Sequence, residues 1–391
     1  MKKFILPALI ALTTLVFTAC SSDDDTTTPD PSLVTKQQVI THYAAIVLQN
    51  YQDAYSDAVA LQTALTAFTS NPTEGTHNAA KQAWKTARES YGPTEAFRFA
   101  SGPIDDGNGP EGLLNAWPLD ENYIDYVDGA LDSGIINDLT TYPTISKTLL
   151  ESLNEVGGEA NISIGYHAIE FLLWGQDTTS PTDNQAGLRV YTDFIDGGTA
   201  SNQDRRRQYV NICAELLLDH LQLMLDEWAD GGSYQTTFLA LNEDTAIKNM
   251  LTGIATLSKS ELAGERMFVA LSNQDQEDEH SCFSDNTHRD IRLNLAGIKN
   301  VYNGNYGSIS GASLSTLVSQ ANSSTGTNVT TLLNFAVTTV ENTATPFDLA
   351  IIGGSSTTEG AKVLTAVNAL QDLGDQLVLA GTALGITVVA E

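Results

Sequence analysis

The chain has 391 residues, and its 48 Asp and Glu against 19 Lys and Arg give a formal net charge of −29. A surface of that sign repels the phosphates of nucleic acids and anionic lipids and attracts cations, which excludes a nucleic-acid-binding role. Three cysteines are present, and with one of them assigned to a lipid anchor below, no thiolate zinc or iron–sulfur site can be assembled.

Lys2 and Lys3 precede an apolar run over 4–17, too short to span a bilayer, which is the make-up of a secretory signal over 1–19. The run closes on Phe17-Thr-Ala-Cys20, which is similar to a bacterial lipobox and implies Cys20 as a lipidated residue and as the membrane contact. Residues 20–34 are polar, acidic and carry proline, as expected of a flexible tether. Ser21 after Cys20 fits outer-membrane sorting, so the expected localisation is a cell-envelope lipoprotein, periplasmic or surface-exposed. Cys213 and Cys282 remain, with a disulfide and two buried thiols both open.

The folded part reads as all-α. Residues 35–69 lack glycine and proline and place Ile40, Tyr43, Ala44, Val47, Tyr51 and Tyr55 at helical spacing. A turn over 71–75 leads to a second helix from about His77, with Trp84, Arg88 and Tyr91 on one stripe. Pro93 should kink or restart it, and beyond it Glu95 and Arg98 stand three apart. Arg88 and Arg98 sit among aromatics, placed to pair with a buried carboxylate such as Glu170 or to hold an anionic group. The stretch 101–128 is rich in Gly, Pro and Asp, the composition of a ligand-covering loop. Helix returns over 143–155.

The next helix carries the central motif, Ile162-Ser-Ile-Gly-Tyr-His-Ala-Ile-Glu-Phe-Leu-Leu-Trp-Gly175. His167 and Glu170 are three residues apart, so imidazole and carboxylate share one face. Apolar residues cover most of the circumference, and a carboxylate in such a place needs a cation, a side chain or a metal ion. On chemistry alone, a metal or substrate site and a structural pair both stay open. Glu95 is the candidate third ligand beside His167 and Glu170, and oxygen with imidazole donors suits zinc, iron or manganese.

The second half echoes the first. A long helix over 205–228 parallels 35–69; a helix over 245–271 carries Gly264-Glu-Arg-Met267 where the first half has Glu95 and Arg98; a third, over 277–301, has His280 where the first half has His167. On that third helix Ser281, Asp285, His288 and Arg292 would form one polar stripe, read as pocket lining. Arg205, Arg206 and Arg207 read as surface ion-pair partners. Three further helices, 312–321, 328–341 and 358–384, read as architectural. The expected fold is two helical-bundle halves, 35–195 and 196–391, related by a pseudo-repeat, with the site between or beside them.

Gly165-x-His167-x-x-Glu170, together with the stretches 83–98, 264–267 and 279–288, resembles the imelysin family, the insulin-cleaving membrane peptidases and their iron-regulated relatives. The resemblance runs from about residue 35 to the C-terminus and includes the glutamate and arginine at Glu95 and Arg98 among the site residues. It implies an envelope lipoprotein of iron uptake, with iron-uptake components as partners, binding a divalent metal, iron or zinc, or a metal-bearing ligand. A metallopeptidase with a metal-activated water is the alternative it implies. No His-Glu-x-x-His is present, and no residue is identified as a general base. A metal-free binding module, with Arg98 and His167 neutralising Glu170, is the third reading.

Overall fold

Thr35 begins the first helix by a reciprocal cap: its hydroxyl accepts from the Gln38 amide at 3.2 Å, and the Gln38 side chain accepts from the Thr35 amide at 2.9 Å. From there α1 runs over Lys36–Ser70, and α2 over Glu74–Tyr91 opens on the same device between Thr73 and Thr76. The computed structural model describes residues 33–107 and 109–390. The expected signal segment 1–19, Cys20 and nearly all of the tether lie outside the described residues.

Pro93 acts as expected. The helix tightens into a 3-10 turn over Gly92–Phe97, because proline donates no amide to the ladder and is tolerated where a new turn begins. The Gly/Pro/Asp-rich stretch holds two short helices, α3 (Glu111–Leu114) and α4 (Glu121–Ile124). After α5 (Lys147–Leu153) comes the motif helix α6 (Gly165–Trp174), every residue of which is buried. Helices α7 (Gln203–Trp228), α8 (Ser233–Leu239) and α9 (Glu243–Thr256) follow. The last continues through a π-helical segment, Leu257–Phe268, into α10 (Val269–Asn273). Next come α11 (Thr287–Asn303) and a small hairpin of β1 (Asn305–Tyr306) with β2 (Ile309–Ser310). The chain ends in α12 (Leu314–Ala321), α13 (Ser323–Glu341), α14 (Asp348–Ile351) and α15 (Thr358–Ala383).

Two layers of packing follow from the apolar stripes. Helix α1 lies along α2 and α7, and α6 is wedged between α2 and α7. Helix α15 packs on α13, α9 and the π-helical segment, while α11 crosses the 3-10 turn at Gly92–Phe97. That crossing is close because Gly297 lacks a side chain: a Cβ there would stand 2.4 Å from the Pro93 carbonyl oxygen. Residues Val34–Glu391 form one compact unit, and α7, just beyond the position expected to divide two halves, rests on α1 and α6. Among the described residues no helix is long and apolar enough to cross a membrane.

Three expectations are corrected here. The predicted helix over 277–301 begins only at Thr287. Residues 279–286 are a buried loop in which Asp285 has a φ of 54°, so Ser281, Asp285 and His288 do not form one helical stripe. Arg205 and Arg206 are not surface partners: both are buried, Arg205 donating to the carbonyls of Ile135, Ile136 and Tyr142 and Arg206 to the carboxylate of Asp125. Arg207 alone keeps the expected role, bonded to Asp196 at 2.7 Å. Cys213 and Cys282 are both buried and free.

Candidate functional site

The motif helix is aimed by its first residue. Gly165 has a φ of +90°, and a Cβ at that position would lie 2.8 Å from the Leu114 carbonyl oxygen, so the chain can turn into α6 there only with glycine. The indole of Trp84 then donates to the Tyr166 carbonyl at 2.9 Å and ties α6 to α2.

One turn along, His167 Nδ1 and Glu170 Oε2 are 2.8 Å apart, and the other Glu170 oxygen accepts from the Ser284 amide at 3.0 Å and its hydroxyl at 2.7 Å. Burial pushes the Glu170 carboxyl up to about 8 and the His167 imidazole down to about 3. Burial thus favours the uncharged form of each, with a proton held across their contact. Nε2 of His167 is buried and has no hydrogen-bond partner among the described residues.

His280 stands edge-on to His167, ring centroids 4.6 Å apart. Its Nδ1 meets Asp290 Oδ2 at 2.9 Å. Asp290 also accepts from the Ser281 hydroxyl and, through Oδ1, from Arg88 Nε at 3.3 Å and Nη2 at 3.1 Å. Burial would raise the Asp290 carboxyl, but Arg88, His280 and Ser281 hold it well below the usual carboxylate range. Arg88 donates in addition to Asn115, whose amide passes the network to Glu95 Oε1 at 3.2 Å.

On the far side, Glu95 Oε2 accepts from Arg266 at 2.6 Å. The π-helical segment explains why Arg266 also reaches Glu261, five residues back, at 2.9 Å: bonds between i and i+5 stack residues that an α-helix would splay apart. Arg98 is shared among Glu261 at 3.1 Å, Glu111 at 3.3 Å, Asp105 at 3.5 Å and Glu95 at 3.9 Å. Burial pushes the Glu111 carboxyl up to about 7.

Part of this network, Arg98, Glu111, Asn115, Glu261, Arg266 and His280, lines a cleft of about 360 Å³ together with Trp117, Glu155, Glu159 and Glu265. His280 is in the wall; His167 lies directly behind it.

The predicted residues thus sort differently from the expectation. His167 and Glu170 meet each other, but with Glu95 they do not close a three-donor cage: among the described residues such a group within 4.8 Å is Asp177, Asp285 and Asp348. Arg88 and Arg98 do balance charge, yet Arg88 pairs with Asp290 rather than Glu170. Ser281 joins the network through Asp290, while Asp285 faces away toward Asp177 and Asp348. His288 lies outside the network, its Nδ1 buried without a partner. Asp290, Asn115, Glu261 and Arg266 were not singled out as site residues from the sequence. Only Arg266 carried a signal, as part of Gly264-Glu-Arg-Met267.

A family model described as Imelysin matches residues 47–377. The chain is 26% identical to iron-regulated protein A of Synechococcus elongatus over 299 residues, 74% of this chain and 68% of that protein. Its fold is similar to the crystal structure of a protein described as an iron-regulated protein A precursor from Parabacteroides distasonis. That likeness has a TM-score of 0.69 at 19% identity and covers 90% of this chain and 97% of the other.

Proposed function

The chain belongs to the imelysin family, and from that premise we propose that it is an iron-related envelope lipoprotein taking up a metal cation at His167, in the cleft walled by His280. One atom carries this reading: His167 Nε2, buried without a partner, on a ring whose other nitrogen is held by Glu170. A carboxylate on one imidazole nitrogen and nothing on the other is how proteins orient a metal-binding histidine. His280, oriented by Asp290 through Nδ1, would supply the second nitrogen through Nε2, which meets the Asn115 amide at 3.5 Å.

Glu170 is then an orienting group, since both its oxygens are already engaged. Glu95 would become a ligand only by leaving Arg266. The bound ion would add a local positive charge to the cleft. Five glutamates, Glu111, Glu155, Glu159, Glu261 and Glu265, line the approach, and this favours a bare cation over an anionic chelate. The name of the Synechococcus relative supports iron. A peptidase would need a free carboxylate base beside the ligand histidine, and Glu170 and Glu95 are both spoken for, so binding is the preferred reading. A lipid on Cys20, outer-membrane attachment and iron-uptake components as partners complete the proposal.

The test is elemental analysis of untagged protein after incubation with iron, zinc and manganese, beside His167→Ala and Glu170→Gln. Near-stoichiometric metal is expected in wild type and none in His167→Ala. Glu170→Gln should bind roughly 10–100-fold more weakly. While Glu170 holds the shared proton, a neutral His167 carries its own on Nε2; a cation there displaces that proton and the shared one passes to Nδ1, so retention should strengthen as pH rises through about 8. Equal metal in wild type and His167→Ala sinks the proposal.

A further inference from the structure

Beyond the C-terminal end of the motif helix, three segments bring carboxylates together. Asp177 follows α6, Asp285 precedes α11, and Asp348 is the first residue of α14; an oxygen from each lies within 4.8 Å of the others. Donors about 2.4 Å from a common centre have spacings up to this size. Asp177 and Asp348 are buried and Asp285 is half-buried. Thr179 is the protein donor to this trio, its amide meeting Asp177 Oδ1 at 3.0 Å, among the described residues.

A separate observation marks an under-satisfied carboxylate. Glu279 is 0% exposed, and among the described residues neither of its oxygens has a well-formed hydrogen bond, with the Asp348 carboxyl and the Thr287 hydroxyl its near neighbours. The charge that acts on it most strongly is Asp348, followed by Asp285, so this carboxylate faces into the cluster. Asp285 Oδ1 is likewise buried and unpartnered, as is the amide oxygen of Gln276, whose nitrogen donates to the Asp177 and Thr179 carbonyls. The cation acting on Asp285 is Lys85, one charge against four acids.

From this geometry we propose that Asp177, Glu279, Asp285 and Asp348 form a binding site for a hard divalent cation of the calcium class. All the donors are oxygens, with no imidazole or thiolate among them, which selects calcium or magnesium over the metals that imidazole favours. The carboxyl–carboxyl contacts, Asp177 with Asp285 and Glu279 with Asp348, are repulsive when ionised, and a dication offsets them. Burial, with Asp348 and Asp177 beside it, pushes Asp285 up to about 7 against the opposing charge of Lys85. The site is distinct from the His167 cleft and would tie three loops into one anchor.

Wild-type protein is stripped with EDTA, then titrated with CaCl₂ and with MgCl₂ by calorimetry, and its thermal unfolding is followed with and without each salt. One Ca²⁺ per chain and a raised Tm are expected. The nearly isosteric Asp177→Asn and Asp348→Asn should each weaken Ca²⁺ at least tenfold while raising the Tm of the stripped protein. His167→Ala should respond to Ca²⁺ as wild type does, which separates this site from the cleft. Absence of Ca²⁺ heat and of any Tm response in wild type would overturn the proposal. So would an undiminished Ca²⁺ response in both Asp variants. A stripped protein stabilised by lower pH but by neither cation would instead identify a cluster of shared protons.

Discussion

Asp125→Ala should cost the fold roughly 3–5 kcal/mol, the expected loss when one partner of a buried ionic group is removed and the others remain. Asp125 is fully buried and faces two arginines. Arg206 grips it with two bonds, 2.6 and 2.8 Å, and Arg189 adds a third at 2.5 Å. The guanidinium groups are enclosed by rings, Arg189 over Tyr126 and Phe171 and Arg206 over Tyr126 and Phe194. Alanine would leave two positive charges with no water to move into. Urea unfolding of wild type and variant measures the loss, and a difference under 1 kcal/mol would show that the arginines find other partners. The pH dependence has a definite sign. Burial alone would raise the Asp125 carboxyl, but Arg189 and Arg206 overcome it and hold it near 2. A depressed carboxylate stabilises fully above its unfolded value and loses that contribution as pH falls toward 2, about 2 kcal/mol in all. Wild type should show this acid-labile component and Asp125→Ala should not.

Arg88→Met should be of similar severity, again roughly 3–5 kcal/mol, because it strands Asp290. Methionine fills much of the volume among Trp84, Tyr91 and Tyr166, whose ring centroids lie 5.0–5.7 Å from the guanidinium. The loss is therefore one of charge more than of packing. In wild type, burial and then Arg266 hold His280 down at about 3 against the pull of Asp290. With Arg88 gone, Asp290 should draw a proton onto His280. A histidine whose folded pKa rises gains stability at low pH and loses it as pH rises. The deficit of the variant should thus be smaller at pH 5 than at pH 8, and Asp290→Asn in the same background should recover part of it. An equal deficit at both pH values would mean that His280 does not sense Asp290.

The all-α class and the long helices were legible because their causes are local. The stripe of Ile40, Tyr43, Val47 and Tyr51, the Thr35 cap and the break at Pro93 all act within a few residues. The His167–Glu170 pair was legible for the same reason, one helical turn with apolar flanks. What failed was long-range. The spacing of 281, 285, 288 and 292 imitates a helix, yet 279–286 is held as a loop by bonds to distant groups, among them Ser284 to Glu170. The basic run 205–207 looks solvated until Asp125 is known to face it from 81 positions away. The π-helical register that carries Arg266 back over Glu261 has no compositional sign, and Asn115 lies in a loop whose residues point nowhere in particular until folded.

Helix α1, at 35 residues, is on the order of 50 Å long, and it touches α2 near it in the chain as well as α7, α8, α9 and α12 much further on. Its stripe of Val39, Ile40, Val47, Leu61 and Leu65 is therefore shared property: no group of its neighbours can come away without exposing apolar surface that the rest then leave uncovered. Openings within the folded unit are correspondingly restricted to loops and ends, and a protease cutting inside the long helices has to wait for the whole unit to open. Such all-or-none resistance sets how long each copy lasts.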